Sequence, residues 1–84
     1  MTIGKAMKGL KQGKRAYREA WSRGYIYLVP ANRYRPTTDV GFDIAEDGYV
    51  PYADYIAYLA APAPVQMWAP THADLLADDW VVCG

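Results

Sequence analysis

The stretch Trp68-Ala69-Pro70-Thr71-His72-Ala73-Asp74-Leu75-Leu76-Ala77-Asp78-Asp79-Trp80 constrains the fold more than any other part of the chain. Pro70 and Thr71 mark a helix opening, with Thr71 as N-cap and Asp74 reaching back as the acidic half of a capping box. Leu75 and Leu76 are expected to supply the buried side of this helix. Asp78-Asp79 is poor helix material, so Trp80-Val81-Val82-Cys83 is expected to leave as a strand. A helix this short cannot stand alone. It needs a sheet or a second helix to pack on, and the remainder of the chain has to provide one.

The pattern upstream provides both. Thr2 can cap a helix in which Ile3, Ala6, Met7 and Leu10 recur on one face, with Lys5, Lys8 and Lys11 on the other. Gly13 ends it in the left-handed position usual for helix C-termini. Lys14 to Arg18 is a short strand candidate, followed by a turn at Ser22-Arg23-Gly24. Tyr25 to Val29 is β-branched and aromatic, a strand stopped by Pro30. Residues 31 to 48 look like an exposed loop with a short strand near Arg35-Pro36-Thr37. Tyr55 to Leu59 and Val65 to Trp68 form a hairpin pair across Ala60-Ala61-Pro62-Ala63-Pro64. The expected fold is therefore α+β: a small antiparallel sheet with an N-terminal helix and a short C-terminal helix.

At 84 residues the chain makes one domain, residues 1–84, without internal repeat. A domain of this size buries only about 60% of its unfolded surface. Three Trp and eight Tyr are more than such a core can hide, so some line a pocket or a subunit contact, and a homo-oligomer is the economical solution. No apolar run is long enough to span a membrane, and no secretory signal is expected. The single Cys83 excludes an internal disulfide and a cysteine-based zinc cage, which suits a reducing cytoplasm.

The formal net charge is zero, but the charges are segregated. All the Lys and Arg precede residue 36, where Glu19 is the only acid; Asp39, Asp43, Glu46, Asp47, Asp54, Asp74, Asp78 and Asp79 follow. Two readings fit and are compatible. Either the halves attract each other within a fold or across an interface, or the N-terminal half carries an anion site.

The two ends of the chain also resemble a known family. A pattern close to Trp-x-Pro-Ser/Thr-x-x-Asp-Leu-Leu-Ala-x-Asp-Trp closes the small phage and bacterial proteins of the second Thoeris anti-defence family. Their opening looks like Gly-x-Ala-Leu-x-x-Leu-x-x-Gly-Lys followed by Arg-x-x-Trp, and here stand Gly4, Ala6, Met7, Leu10, Gly13, Lys14, Arg18 and Trp21. Leu28-Val29-Pro30, Pro51-Tyr52 and Tyr55-Ile56 match between the ends. The hairpin connection departs, since the family usually carries a polar, often Asp-Gly, turn where this chain has Ala and Pro.

The resemblance implies a sponge in the host bacterial cytoplasm. Such proteins sequester, without cleaving, the cyclised ADP-ribose signals that TIR-domain enzymes of Thoeris defence make; some also hold the cyclic dinucleotides of CBASS. They resemble homotetramers with pockets between subunits. Trp21 is then part of a nucleotide pocket, as a stacking platform, whereas position alone reads it as a core anchor. Arg18 either pairs with a phosphate or is a surface cation near the acidic half. Thr71, His72 and Asp74 lie at a helix N-terminus that can bond ribose hydroxyls, the alternative for Thr71 and Asp74 being a plain cap and for His72 a surface residue. Trp68 walls the same pocket or joins the core. No cofactor or metal is expected. Ser22, His72 and Cys83 lie far apart and no triad, metal or phosphate-loop spacing is present, which argues against an enzyme. The alternatives are a small nucleic-acid-binding module on the basic half, which the acidic half opposes, and a hydrolase of the same signals.

Overall fold

The computed structural model describes residues 1–34 and 48–84; the strand expected near Arg35-Pro36-Thr37 lies outside them. In chain order come α1 (Ile3–Lys11), β1 (Arg15–Arg18), β2 (Tyr25–Val29), β3 (Asn32–Tyr34), β4 (Val50–Tyr52), β5 (Tyr55–Leu59), β6 (Gln66–Met67), α2 (His72–Leu76) and β7 (Trp80–Cys83). The expected α+β class is what the chain adopts. No helix among the described residues is long and apolar enough to cross a membrane.

β6, β5, β2, β1 and β7 form a five-stranded sheet in that order, antiparallel throughout. The longest pairing, Tyr25↔Leu59 to Val29↔Tyr55, joins β2 to β5 at its centre. Successive strand residues point to opposite faces, so the register sorts the side chains. Ala16, Ile26, Tyr58 and Val82 share the face under α1, while Arg15, Tyr25, Tyr27, Ala57 and Cys83 share the other.

α1 covers the first face. Ala6, Leu10, Ala16, Ile26 and Trp80 are buried there, with Ile3, Met7, Trp21, Leu28, Ile56, Trp68 and Ala77 packed around them. The helix ends as expected: Gly13 has φ +83°, its amide bonds the Leu10 carbonyl, and the Lys14 amide bonds that of Gly9. At the other end Thr2 is the N-cap by backbone only, for its hydroxyl makes no capping bond.

Three expectations need correction. Residues 32–34 are not loop: β3 pairs with β4 as a separate two-stranded ribbon, Asn32↔Tyr52 to Tyr34↔Val50. Pro51 sits in it without disrupting pairing because each strand of a two-stranded ribbon has an unpaired side. The expected Val65–Trp68 strand shortens to Gln66–Met67, though the Trp68 amide still bonds the Ile56 carbonyl at 2.8 Å. Leu75 and Leu76 are not the buried side of α2, being 48% and 85% exposed; Asp74, at 6%, is buried instead. This helix is seated by its polar first turn, for the reasons given below.

Gly9 was unmarked in the sequence pattern but is buried where α1 crosses β7. A Cβ built there falls 2.6 Å from Val82 Cγ1, and valine is stiff about χ1. Alanine favours a helix interior over glycine by about 1 kcal/mol, whereas overpacking costs about 1–3 kcal/mol. Gly9→Ala should therefore lower stability by up to about 2 kcal/mol in denaturant titration. Adding Val82→Ala should recover part of the loss, a positive coupling in a double-mutant cycle.

Candidate functional site

Trp21 lies between β1 and β2, at the end of the sheet where β1 and β2 have stopped pairing. Its indole is half-buried and meets other rings edge to face: Trp80 at 5.3 Å, Tyr58 at 5.6 Å and Trp68 at 6.5 Å between centroids. Trp68 and Trp80 complete the cluster at 5.8 Å. Edge-to-face pairs of this kind add about 0.5–1.5 kcal/mol each beyond area burial. Gly24 closes the turn at φ +96° and lies under Tyr58, whose hydroxyl donates to the Arg23 carbonyl at 3.4 Å. The open side of Trp21 lines a cleft of about 330 Å³ with Arg15, Tyr17, Arg23 and Tyr25. Core anchor and cleft wall are thus two sides of one ring.

Arg18 and Asp74 are brought together. Arg18 donates from Nη1 to Asp74 Oδ1 at 3.0 Å and from Nε to Asp79 Oδ1 at 2.9 Å. Asp74 Oδ2 accepts the Thr71 amide at 2.9 Å, and Thr71 Oγ1 accepts the Asp74 amide at 3.1 Å, a complete capping box. Below it the Trp80 Nε1–H donates to the Asp74 carbonyl at 3.0 Å. Asp74 is buried because every oxygen it carries there has a partner. His72 is exposed on the same helix turn.

The electrostatics follow from these bonds. Burial disfavours the Asp74 carboxylate, but the Thr71 amide and Arg18 outweigh it and hold its pKa below the usual 3.8. Arg18 beside Asp79, helped by the Ala20 amide, lowers that carboxyl as well. In return the Asp79 and Asp74 bonds raise the guanidinium pKa further.

Two more clefts flank the sheet. One of about 540 Å³ is lined by Ile3, Met7, Tyr55, Ile56, Trp68 and Leu75, with Asp54 at its margin. The other, about 240 Å³, runs from Lys14 and Arg15 past Tyr25 and Tyr27. It shares Arg15 and Tyr25 with the Trp21 cleft, and the Arg15 guanidinium stands 4.8 Å over the Tyr25 ring. Trp21 and Trp68 therefore touch through their rings but open onto different clefts, while Arg18, Thr71, His72 and Asp74 line none of these three. Sequence reasoning missed Arg15, Arg23 and Tyr25 as neighbours of Trp21. The signal was present in Arg15-x-Tyr17 and Tyr25-x-Tyr27, whose spacing puts each pair on one strand face.

Both carboxyl groups titrate lower in the folded chain, so the stability they contribute is complete above the ordinary value near 3.8 and is lost as pH falls through the depressed folded values. Thermal melts between about pH 5 and 2 should show this acid limb, and Asp74→Asn should flatten it while lowering the plateau. Thr71→Ala should cost about 1 kcal/mol at neutral pH, measured by denaturant unfolding.

The fold and this end of the sheet can now be set beside known proteins. Thoeris anti-defense 2 of Bacillus phage SP01 is 31% identical over 81 residues, which cover 95% of this chain and 91% of the phage protein. The family model of the Tad2-like, or Thoeris anti-defense 2-like, domain matches residues 1–83. With a match of that extent, the chain belongs to the Thoeris anti-defense 2-like family.

Proposed function

We propose that this member of an anti-defence family acts as a sponge: it binds cyclised ADP-ribose signals of Thoeris tightly, releases them intact, and so keeps the effector from being activated. The observation that carries this reading is the Trp21 cleft, where Trp21, Tyr17 and Tyr25 supply an aromatic wall and two arginines, Arg15 over the Tyr25 ring and Arg23 bonded to the Ala61 carbonyl, line the same opening. A nucleotide with a pyrophosphate presents the complementary surface. A base stacked on an aromatic ring gains about 1–3 kcal/mol, and arginine pairs with phosphate oxygens by charge-assisted hydrogen bonds.

A sponge has to hold its ligand near nanomolar, about −12 kcal/mol. At about 330 Å³ the cleft of one protomer lies at the small end of the range for ligand sites, about 300–1,000 Å³. We assign the remaining contacts to a neighbouring subunit in a homotetramer. Supporting this are the exposed Leu75, Leu76 and Met67 and the tyrosine-bearing sheet face, over which neither described helix packs. In this assignment Trp21 stacks on the ligand. Trp68 backs Trp21 and walls the adjacent cleft, Arg18, Thr71 and Asp74 hold its surroundings, and His72 is available at the exposed edge to a ligand bridging subunits. Cyclic dinucleotides are the second ligand class to test. The host cytoplasm, where such signals are made, is the proposed place of action.

Release analysis tests the proposal. The protein is mixed with TIR-made cyclic ADP-ribose isomers and with cyclic dinucleotides, freed of unbound ligand, heat-denatured, and the supernatant is analysed by mass. Intact ligand at a fixed ratio to protomer is expected. A cleaved product would make the protein an enzyme, and no ligand at all would remove the sponge reading. Trp21→Ala should weaken binding about 5- to 150-fold with assembly retained in sedimentation, the loss of about 1–3 kcal/mol of stacking. Arg15→Ala, at an exposed position, should weaken it about tenfold.

A further inference from the structure

The turn that carries Trp21 is built on an aspartate from the opposite end of the chain. Arg18, Glu19 and Ala20 are consecutive, and each donates to Asp79: Arg18 Nε to Oδ1 at 2.9 Å, the Glu19 amide to the backbone carbonyl at 3.1 Å, and the Ala20 amide to Oδ2 at 3.1 Å. The Trp21 amide then closes the turn on the Arg18 carbonyl at 2.9 Å. Glu19 and Ala20 are exposed, so packing holds the turn only at its Trp21 end. Its shape is set by the acceptors of Asp79. The next residue, Trp80, is the buried ring against which Trp21 rests edge to face.

We propose that Asp79 is a positioning residue for the ligand cleft, fixing the turn that aims the Trp21 indole across the opening. Resting on the reading of that cleft as the ligand site, it adds a residue that touches no ligand itself. Asp79 is suited to the task because a carboxylate only accepts, and two donors face its two oxygens. Asparagine has the same shape but turns one acceptor into a donor, so either Arg18 Nε or the Ala20 amide then meets an N–H. Asp78, adjacent and exposed, carries the same charge without reaching any of these groups.

Asp79→Asn, Asp78→Asn and Trp21→Phe would be compared with the unmodified protein by far-UV and near-UV circular dichroism, by sedimentation, and by affinity for a TIR-made cyclic ADP-ribose isomer. With secondary structure and assembly unchanged, Asp79→Asn should lose the part of the near-UV tryptophan band that Trp21→Phe removes. It should also bind about tenfold more weakly. Asp78→Asn should match the unmodified protein in both. The proposal is overturned if Asp79→Asn keeps the band and the affinity, or if Asp78→Asn weakens binding equally, since charge alone would then account for the effect. If the unmodified protein binds no isomer, the sponge reading fails separately; the near-UV band still decides whether Asp79 orders the Trp21 turn. Should Asp79→Asn not fold, Arg18→Lys carries the same expectations, because lysine keeps the charge but lacks the planar fork that spans both carboxylates.

Discussion

The Arg18 fork is the junction on which this end of the molecule depends. One guanidinium joins the last residue of β1 to the first turn of α2 and to the approach to β7, across 56 and 61 residues of sequence. Each partner it engages does further work. Asp74 completes the capping box and offers its carbonyl to the Trp80 indole, and Asp79 holds the turn leading to Trp21. A half-buried ion pair of this kind is worth little as an isolated Coulombic contact, because desolvation offsets attraction. Its value here is geometric: it sets where two tryptophans and a short helix lie relative to the sheet.

That junction explains how a helix of five residues persists. Leu75 and Leu76 do not anchor it, since the first is half exposed at the edge of a cleft and the second almost fully exposed. Capping, the Arg18 bond and the Trp80 N–H seat α2 by its N-terminal turn, which leaves its leucines facing outward. Apolar side chains so presented have no partner in the described part of the protomer that removes them from water. Together with the sheet face of Tyr25 and Tyr27, they leave surface of the type that assemblies cover. A small domain with this many aromatic residues thus divides them between an edge-to-face core cluster and surfaces suited to ligand or subunit contact.

The charge segregation of the sequence resolves unevenly. Arg18 pairs with Asp74 and Asp79, an attraction between the two halves of the chain. Arg15 and Arg23 instead border the Trp21 cleft, which suits an anion. Lys5, Lys8 and Lys11 stay exposed on α1, as their helical spacing requires. Counting charges could not separate these fates, because each depends on the helix face, strand face or turn a residue occupies and on what the fold places opposite it.

Local pattern determined a good deal. Apolar residues at helical spacing and a glycine in the left-handed region defined α1; β-branched and aromatic runs defined β2, β5 and β7; the Thr71–Asp74 spacing defined the capping box. These are short-range consequences of backbone sterics and local hydrogen bonding, so they can be read along the chain. The β3–β4 ribbon escaped because residues 31 to 48, rich in Asn, Arg, Pro, Asp and Gly, read as loop, and strands of three residues are too short to show a period. Only the tertiary structure decided that Arg18 faces two carboxylates rather than an open cleft, that Trp21 opens toward Arg15 and Arg23 rather than toward Thr71 and His72, and that Gly9 gives Val82 its room. The Arg18 and Gly9 contacts join residues far apart in sequence, and the direction in which Trp21 opens depends on the distant rings it rests against; both are chosen by sheet register and packing, which local pattern does not encode.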